Sequence, residues 1–329
     1  MSLLLFSLII LYISVCLAKV ENLVVFGDSY SDVGNVQQNS NGPLWSENLA
    51  VAWNASLYSF AFSGSTCDDS NKMTSTAPSI VDQIEMYYNQ QLNLEPENTV
   101  YAFWIGYSDL HNMIKKNDKE YDKVLDCLMQ QVANVRKVFG TNRFILFTLA
   151  PMDKMPYFSK DESESEKRKE AVDTFNQLLH EKFLNLVKYH NTLELDLVDV
   201  HDLLVDMIDS PAEFGFSEGD QAYWDACQGK CLDAIDDYIW WDKLHLTGGA
   251  HRAITTSILM SNSLEPSVTL PSSTTIHDLL NQPDSQFKSP IYEASYHTGL
   301  IDKVLKKLKD VKEKETTKEN ENENEKQEN

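Results

Sequence analysis

Apolar residues fall along the chain in two alternating patterns. Short, nearly uninterrupted apolar runs recur at Asn22 to Phe26, Leu57 to Phe62, Thr99 to Ile105, Arg143 to Leu149 and Leu193 to Val200. They are short enough for strands and too continuous for strands with one wet face, so they read as strands of the core. Between them the spacing turns helical. Tyr121, Val124, Leu125, Leu128, Met129, Val132 and Val135 fall on one face, a long helix is predicted from about Glu162 to His190, and another begins at Thr247 and runs through Leu259. Strands alternating with helices predict an α/β fold, with a central parallel sheet of about five strands covered by helices on both sides. Ligands of such sheets bind at the carboxyl ends of the strands. The residues to inspect are therefore Gly27-Asp28-Ser29, Ser63-Gly64-Ser65 and Gly106-Tyr107-Ser108-Asp109.

The two ends of the chain depart from this pattern. Leu3 to Leu17 is apolar and closes on Cys16-Leu17-Ala18, which reads as a signal peptide over 1–18, with an uncleaved anchor as the alternative. A secreted, extracellular protein is expected, with residues 19–262 as its folded domain. After Ser263 the composition turns to Ser, Thr and Pro, and 263–298 reads as a linker. In 299–329, Ile301, Val304, Leu305, Leu308 and Val311 share a helix side among Lys303, Lys306, Lys307 and Lys309; this helix could dock on the body, a partner or a membrane surface. Beyond Lys312 the Lys, Glu and Asn composition predicts disorder.

Charge and cysteines narrow the class. The formal charge is −22 and nearly all of it lies before Asp302, so the body repels phosphate backbones and nucleic acid is excluded as a partner. Cys67, Cys127, Cys227 and Cys231 remain after signal removal and allow up to two disulfides, in three possible pairings. None has zinc-like spacing with histidines, so no metal is expected. Asn54-Ala55-Ser56 is a glycosylation sequon.

A serine becomes a nucleophile only when a base takes its proton, and the base needs a third group to orient it. Ser29, after a buried strand and a glycine, would stand at a strand tip. Asp242 and His245 lie three residues apart in Trp240-Trp241-Asp242-Lys243-Leu244-His245, close enough for the carboxylate to hold one ring nitrogen. His111, His201 and His251 have no aspartate three residues before them.

In these residues the chain resembles GDSL-type lipases and esterases of the SGNH hydrolase superfamily. The blocks are Phe26-Gly27-Asp28-Ser29-Tyr30-Ser31-Asp32, Phe62-Ser63-Gly64-Ser65-Thr66, Gly106-Tyr107-Ser108-Asp109 and Asp242 to His245. Asn41-Gly42-Pro43-Leu44-Trp45 and Pro211 to Phe216 are similar to fungal and plant members. The resemblance spans about Asn22 to Ser261 and implies a flavodoxin-like three-layer sandwich. It implies catalytic Ser29, Asp242 and His245, an oxyanion hole from the Ser29 and Gly64 N–H groups with Ser108, structural roles for Asp28 and Asp109, and no cofactor. Ser108 stands where the family carries Asn, so the third donor of the hole is shortened. Likeness to fungal secreted acetylesterases favours short acyl esters of carbohydrate, and Trp45, Trp104, Trp224, Trp240 and Trp241 are either sugar-stacking rings or core. The competing readings are a lipase or lysophospholipase acting on lipid esters, and a non-catalytic carbohydrate-binding or surface protein with a decayed oxyanion hole.

Overall fold

A computed structural model describes residues 19–228, 230 and 234–327, with side chains as far as 314. The signal-peptide reading falls on 1–18, outside the described residues, as does Cys231.

The five apolar runs form one sheet: β1 (Asn22–Gly27), β2 (Ser56–Ser59), β3 (Thr99–Trp104), β4 (Arg143–Phe147) and β5 (Glu194–Val198), in the order β2-β1-β3-β4-β5. Every neighbouring pair is parallel, in register from Asn22 opposite Thr99 through Gly27 opposite Trp104. All six residues of β3 are buried, as a strand covered on both faces requires.

The helices are α1 (Trp45–Trp53), α2 (Ile80–Gln90), α3 (Tyr107–Lys116), α4 (Tyr121–Phe139), α5 (Glu162–Tyr189), α6 (Val200–Asp209), α7 (Tyr223–Cys227), α8 (Gly248–Ser261), α9 (Ser273–Leu280) and α10 (Leu300–Gln327). α1 packs with α8 and α9, while α2 packs with α4, and α4 with α5 and α10. The faces fit their sequence patterns: Tyr121, Val124, Leu125, Leu128, Val132 and Val135 of α4 are all buried. Phe26 packs on Phe103, Phe60 and Tyr87 at ring separations of 5.1, 6.1 and 6.0 Å. A second, two-stranded parallel pair, β6 (Glu218–Ala222) with β7 (Tyr238–Trp240), leads into the Asp242–His245 loop.

The stretch expected as a linker is a packed strap. α9 buries Ile276 and Leu280 against Val51 of α1. The chain then runs along the free side of β2, where Leu57 N–H donates to Gln286 O at 2.9 Å and Ser59 N–H to Ser289 Oγ at 2.8 Å. Tyr292 stacks on Phe60 with ring centroids 4.0 Å apart. Further on, His297 and Asp82 pair at 2.5 Å, and Glu85 accepts from the N–H groups of Thr298 and Leu300. These contacts satisfy an edge strand that would otherwise present unpaired donors. The apolar residues escape the sequence reading because they are few and widely spaced, Ile276 and Leu280 on the short helix α9 and Tyr292 in extended chain.

α10 docks on the body through Ile301 and Leu305 and continues to Gln327, through the segment whose composition predicts disorder. Lys and Glu are strong helix formers and pair at i,i+4, as Lys309 and Glu313 do at 3.9 Å. Among the described residues, no helix is long and apolar enough to cross a membrane.

Cys67 and Cys127 are disulfide-bonded, which selects one of the open pairings. Cys227 is also disulfide-bonded.

Candidate active site

β1 must end on glycine. A Cβ at Gly27 would stand 2.6 Å from Trp104 O, so only glycine lets β1 and β3 close up at this tip. Gln83 of α2 clamps the same residue from both sides: its Oε1 accepts Gly27 N–H at 2.9 Å and its Nε2 donates to Gly27 O at 2.9 Å. The chain turns there, and half-buried Ser29 follows.

Asp28 and Asp109 are buried beneath this turn. Asp28 Oδ1 accepts Tyr30 N–H at 3.1 Å, while Asp109 accepts Cys67 N–H and the Asn71 amide. These bonds agree with the structural roles that the resemblance implies for both residues. Burial raises each carboxyl to about 7, and the charge of Asp109 adds to the rise at Asp28. Between about pH 4 and 7 the folded chain therefore holds protons that the unfolded chain has released, so stability falls as pH rises through that window. Asp242 and Asp82 act oppositely: their lowered pKa values contribute stability above the ordinary carboxyl value that is lost on acidification. The protein is expected to be most stable in mild acid, with Asp28, Asp109 and the buried Glu47, which is also raised to about 7, each contributing up to about 1.4 kcal/mol of loss per pH unit toward neutrality. Urea unfolding across pH 4–7 checks this: the Asp28→Asn, Asp109→Asn double variant should flatten the slope, and an unaltered slope counts against the assignment.

Asp32, three residues after Ser29, connects the first two blocks. Its Oδ1 accepts Gly34 and Asn35 N–H at 3.0 and 2.8 Å; its Oδ2 accepts Ser63 N–H and Ser63 Oγ–H, both at 2.8 Å. Gly64 follows at φ +87°, a conformation that L side chains rarely adopt. The Ser29 and Gly64 N–H groups and the Ser108 hydroxyl donate to nothing among the described residues. Ser108 lies in the first turn of α3, whose N-cap Gly106 sits at φ +121°.

The second half of the site is a loop folded around a carboxylate. Asp242 Oδ1 accepts the N–H groups of Leu244 and His245, each at 2.8 Å, and Oδ2 lies 2.8 Å from His245 Nδ1. Burial alone would raise the Asp242 carboxyl, but the His245 ring and these N–H groups outweigh it and hold it below its ordinary value. An ionised carboxylate only accepts, so Nδ1 carries a proton, and in the neutral tautomer this bond selects, Nε2 is the acceptor. The loop is closed by Trp241 N–H to His245 O at 2.8 Å and Thr247 N–H to Ile239 O at 2.9 Å. It is seated by Gly248 N–H to Asn41 Oδ1 at 2.9 Å, beside a close approach of Gly248 to Gly42.

Tyr30 brings the halves together. Its ring stacks on Trp104 at 4.9 Å, its hydroxyl donates to Leu244 O at 2.7 Å, and its ring centroid lies 6.0 Å from that of His245. The residue after Ser29 is thus bonded to the residue before His245. Ser29 Oγ itself makes no hydrogen bond among the described residues. Of the other histidines, His251 is buried within α8, with burial driving its pKa down to about 3.

Sequence reasoning passed over Tyr30, Asp32 and Gln83 as positioning residues. Tyr30 and Asp32 carried a signal, since both stand in the first block; Gln83 carried none, being one amide on a helix far along the chain.

A model of the GDSL-like lipase/acylhydrolase family matches residues 23–258, and the chain belongs to that family. Among characterised relatives, a thermolabile hemolysin of Vibrio parahaemolyticus is 24% identical over 74% of this chain, which spans 64% of the hemolysin's length. An acetylesterase of Thermothelomyces thermophilus is 23% identical, covering 62% of this chain and 78% of that protein. An acetylxylan esterase structure from Geobacillus stearothermophilus aligns at 14% identity and a TM-score of 0.44, over 74% of this chain and 94% of the other.

Proposed function

We propose that the protein is a secreted serine esterase that hydrolyses carboxylic esters through an acyl-enzyme. The observation that carries this reading is the bond between Asp242 and His245 on a loop tied, through Tyr30, to the turn bearing Ser29. In the proposed cycle His245 Nε2 takes the Ser29 hydroxyl proton as Ser29 Oγ attacks the ester carbonyl. The tetrahedral oxyanion accepts from the unpartnered N–H groups of Ser29 and Gly64 and from Ser108. His245 then gives its proton to the leaving alcohol, takes one from water as the water oxygen attacks the acyl carbonyl, and returns it to Ser29 Oγ as the bond to the acid breaks. Export is supported by the apolar Leu3 to Leu17 stretch and by the Cys67–Cys127 disulfide.

The favoured substrates are short acyl esters of carbohydrate, consistent with likeness to acetylesterases. Lipid esters are the second reading. It is favoured by α10, which exposes Leu308 and Val311 among lysines, and by likeness to a hemolysin and to the phosphatidylcholine-sterol acyltransferase of Aeromonas hydrophila. Nitrophenyl esters from acetyl to long acyl, assayed with wild type and Ser29→Ala, separate the readings. Short-chain preference supports the first and long-chain preference the second, whereas activity independent of Ser29 overturns the mechanism.

Ser108 sets the efficiency of the proposed hole. A hydroxyl is shorter than the amide side chain of the family block, and one lost donor costs about 10²–10³ in rate. Ser108→Asn is expected to raise kcat on nitrophenyl acetate by about tenfold; an unchanged or lower kcat removes Ser108 from the hole.

A further inference from the structure

We propose that a cavity beside the His245 loop is a subsite for a neutral sugar ring, with Tyr157 as its stacking face; this rests on the carbohydrate reading above. The cavity holds about 370 Å³, at the lower end of ligand sites, and is lined by Tyr157, Lys160, Asp220, Gln221, Asp225 and Lys243 among others.

Two of its walls are attached to the residues that flank Asp242. Tyr157 N–H donates to Lys243 O at 3.1 Å, and Trp224 N–H donates to Trp241 O at 3.1 Å, which fixes α7 beside the same loop. A molecule in the cavity therefore lies against the segment that orients the proposed base.

The lining selects the ligand class. Two lysines face two carboxylates, with Lys243 and Asp225 paired at 3.3 Å, so the cavity offers donors and acceptors without net charge. A sugar's hydroxyls, each both donor and acceptor, match such a lining. An anionic phosphate headgroup meets as much repulsion as attraction there.

Tyr157 supplies the apolar face. It is 60% exposed and is held edge-on against buried Phe158 at 4.7 Å. Phe158 is fixed in turn by the Arg168 guanidinium, 3.6 Å from its ring centroid. The open ring is thus anchored before a ligand arrives and loses little freedom on binding. Trp224, 55% exposed and packed on Trp241 at 5.5 Å, offers a second open ring next to Asp225.

The test compares kcat/KM on an acetylated xylo-oligosaccharide with kcat/KM on nitrophenyl acetate, a ratio independent of the fraction of folded enzyme. Tyr157→Ala is expected to lower this ratio about tenfold, through KM for the oligosaccharide. Tyr157→Phe, which keeps the ring, should stay within about twofold of wild type. An unchanged ratio in Tyr157→Ala, or a fall through kcat alone, overturns the subsite while the carbohydrate reading stands. A wild type that cleaves nitrophenyl acetate but not the oligosaccharide overturns both.

Discussion

Ser29→Ala is expected to lower kcat on nitrophenyl acetate by about 10⁶-fold, with KM within a few-fold of wild type. The nucleophile and base act as one unit, so His245→Ala should cost about as much, and the double variant no more than either alone. Asp242→Asn should lose less, about 10⁴-fold, and for a different reason. Its amide still accepts the Leu244 and His245 N–H groups, whose 2.8 Å bonds shape the loop, but it also favours the wrong ring tautomer. Steady-state kinetics of the three single variants and the Ser29→Ala, His245→Ala double variant check the scheme. A double variant much slower than both singles would mean that the two residues act independently.

The loop geometry explains why this part of the site was legible in sequence. A separation of three positions between carboxylate and imidazole is the spacing at which one turn closes on itself, so Asp242 and His245 need no distant element to meet. The central strands β1, β3 and β4 were legible because burial on both faces leaves continuous apolar runs, and β3 starts at Thr99 as its run predicts; the edge strands β2 and β5 are only partly buried, β5 with Glu194 exposed. β2 ends earlier than its run, at Ser59, because Phe60 to Phe62 leave the strand and lead into the Gly64 turn.

Long-range polar fastening left no comparable trace. Gln83 bonds Gly27 across 56 positions, and Asn35 holds the strap by accepting Tyr292 N–H at 2.8 Å across 257. Neither bond has a period or a local motif. The strap fails the apolar-run test because its apolar side chains are few and far apart: Ile276 and Leu280 of α9 share one cluster with Val51, and Tyr292 enters another against Phe60. Its role emerges only once β2 is known to be the edge strand. The pairing of Cys67 is opaque in the same way, since spacing says nothing of which thiol lies beside it.

That pairing has the largest expected effect on stability. The bridge closes a segment of 60 residues, and the loss of chain freedom in the unfolded state corresponds to about 4 kcal/mol in the loop-closure description. Its position adds a local consequence. Cys67 follows the Gly64 turn and its N–H donates to Asp109 at 3.1 Å, while Cys127 belongs to α4, so the bridge pins the second block to the helix layer. The Cys67→Ala, Cys127→Ala double variant, which leaves no unpaired thiol at this site, should therefore unfold about 4 kcal/mol more easily and melt about 10 °C lower. Below its transition it should keep most of its esterase activity, because the Asp32 bonds still hold Ser63 and with it Gly64. Urea denaturation of the two proteins gives the comparison. A difference under about 1 kcal/mol would mean that the loop is already confined in the unfolded chain and that the bridge serves only the turn.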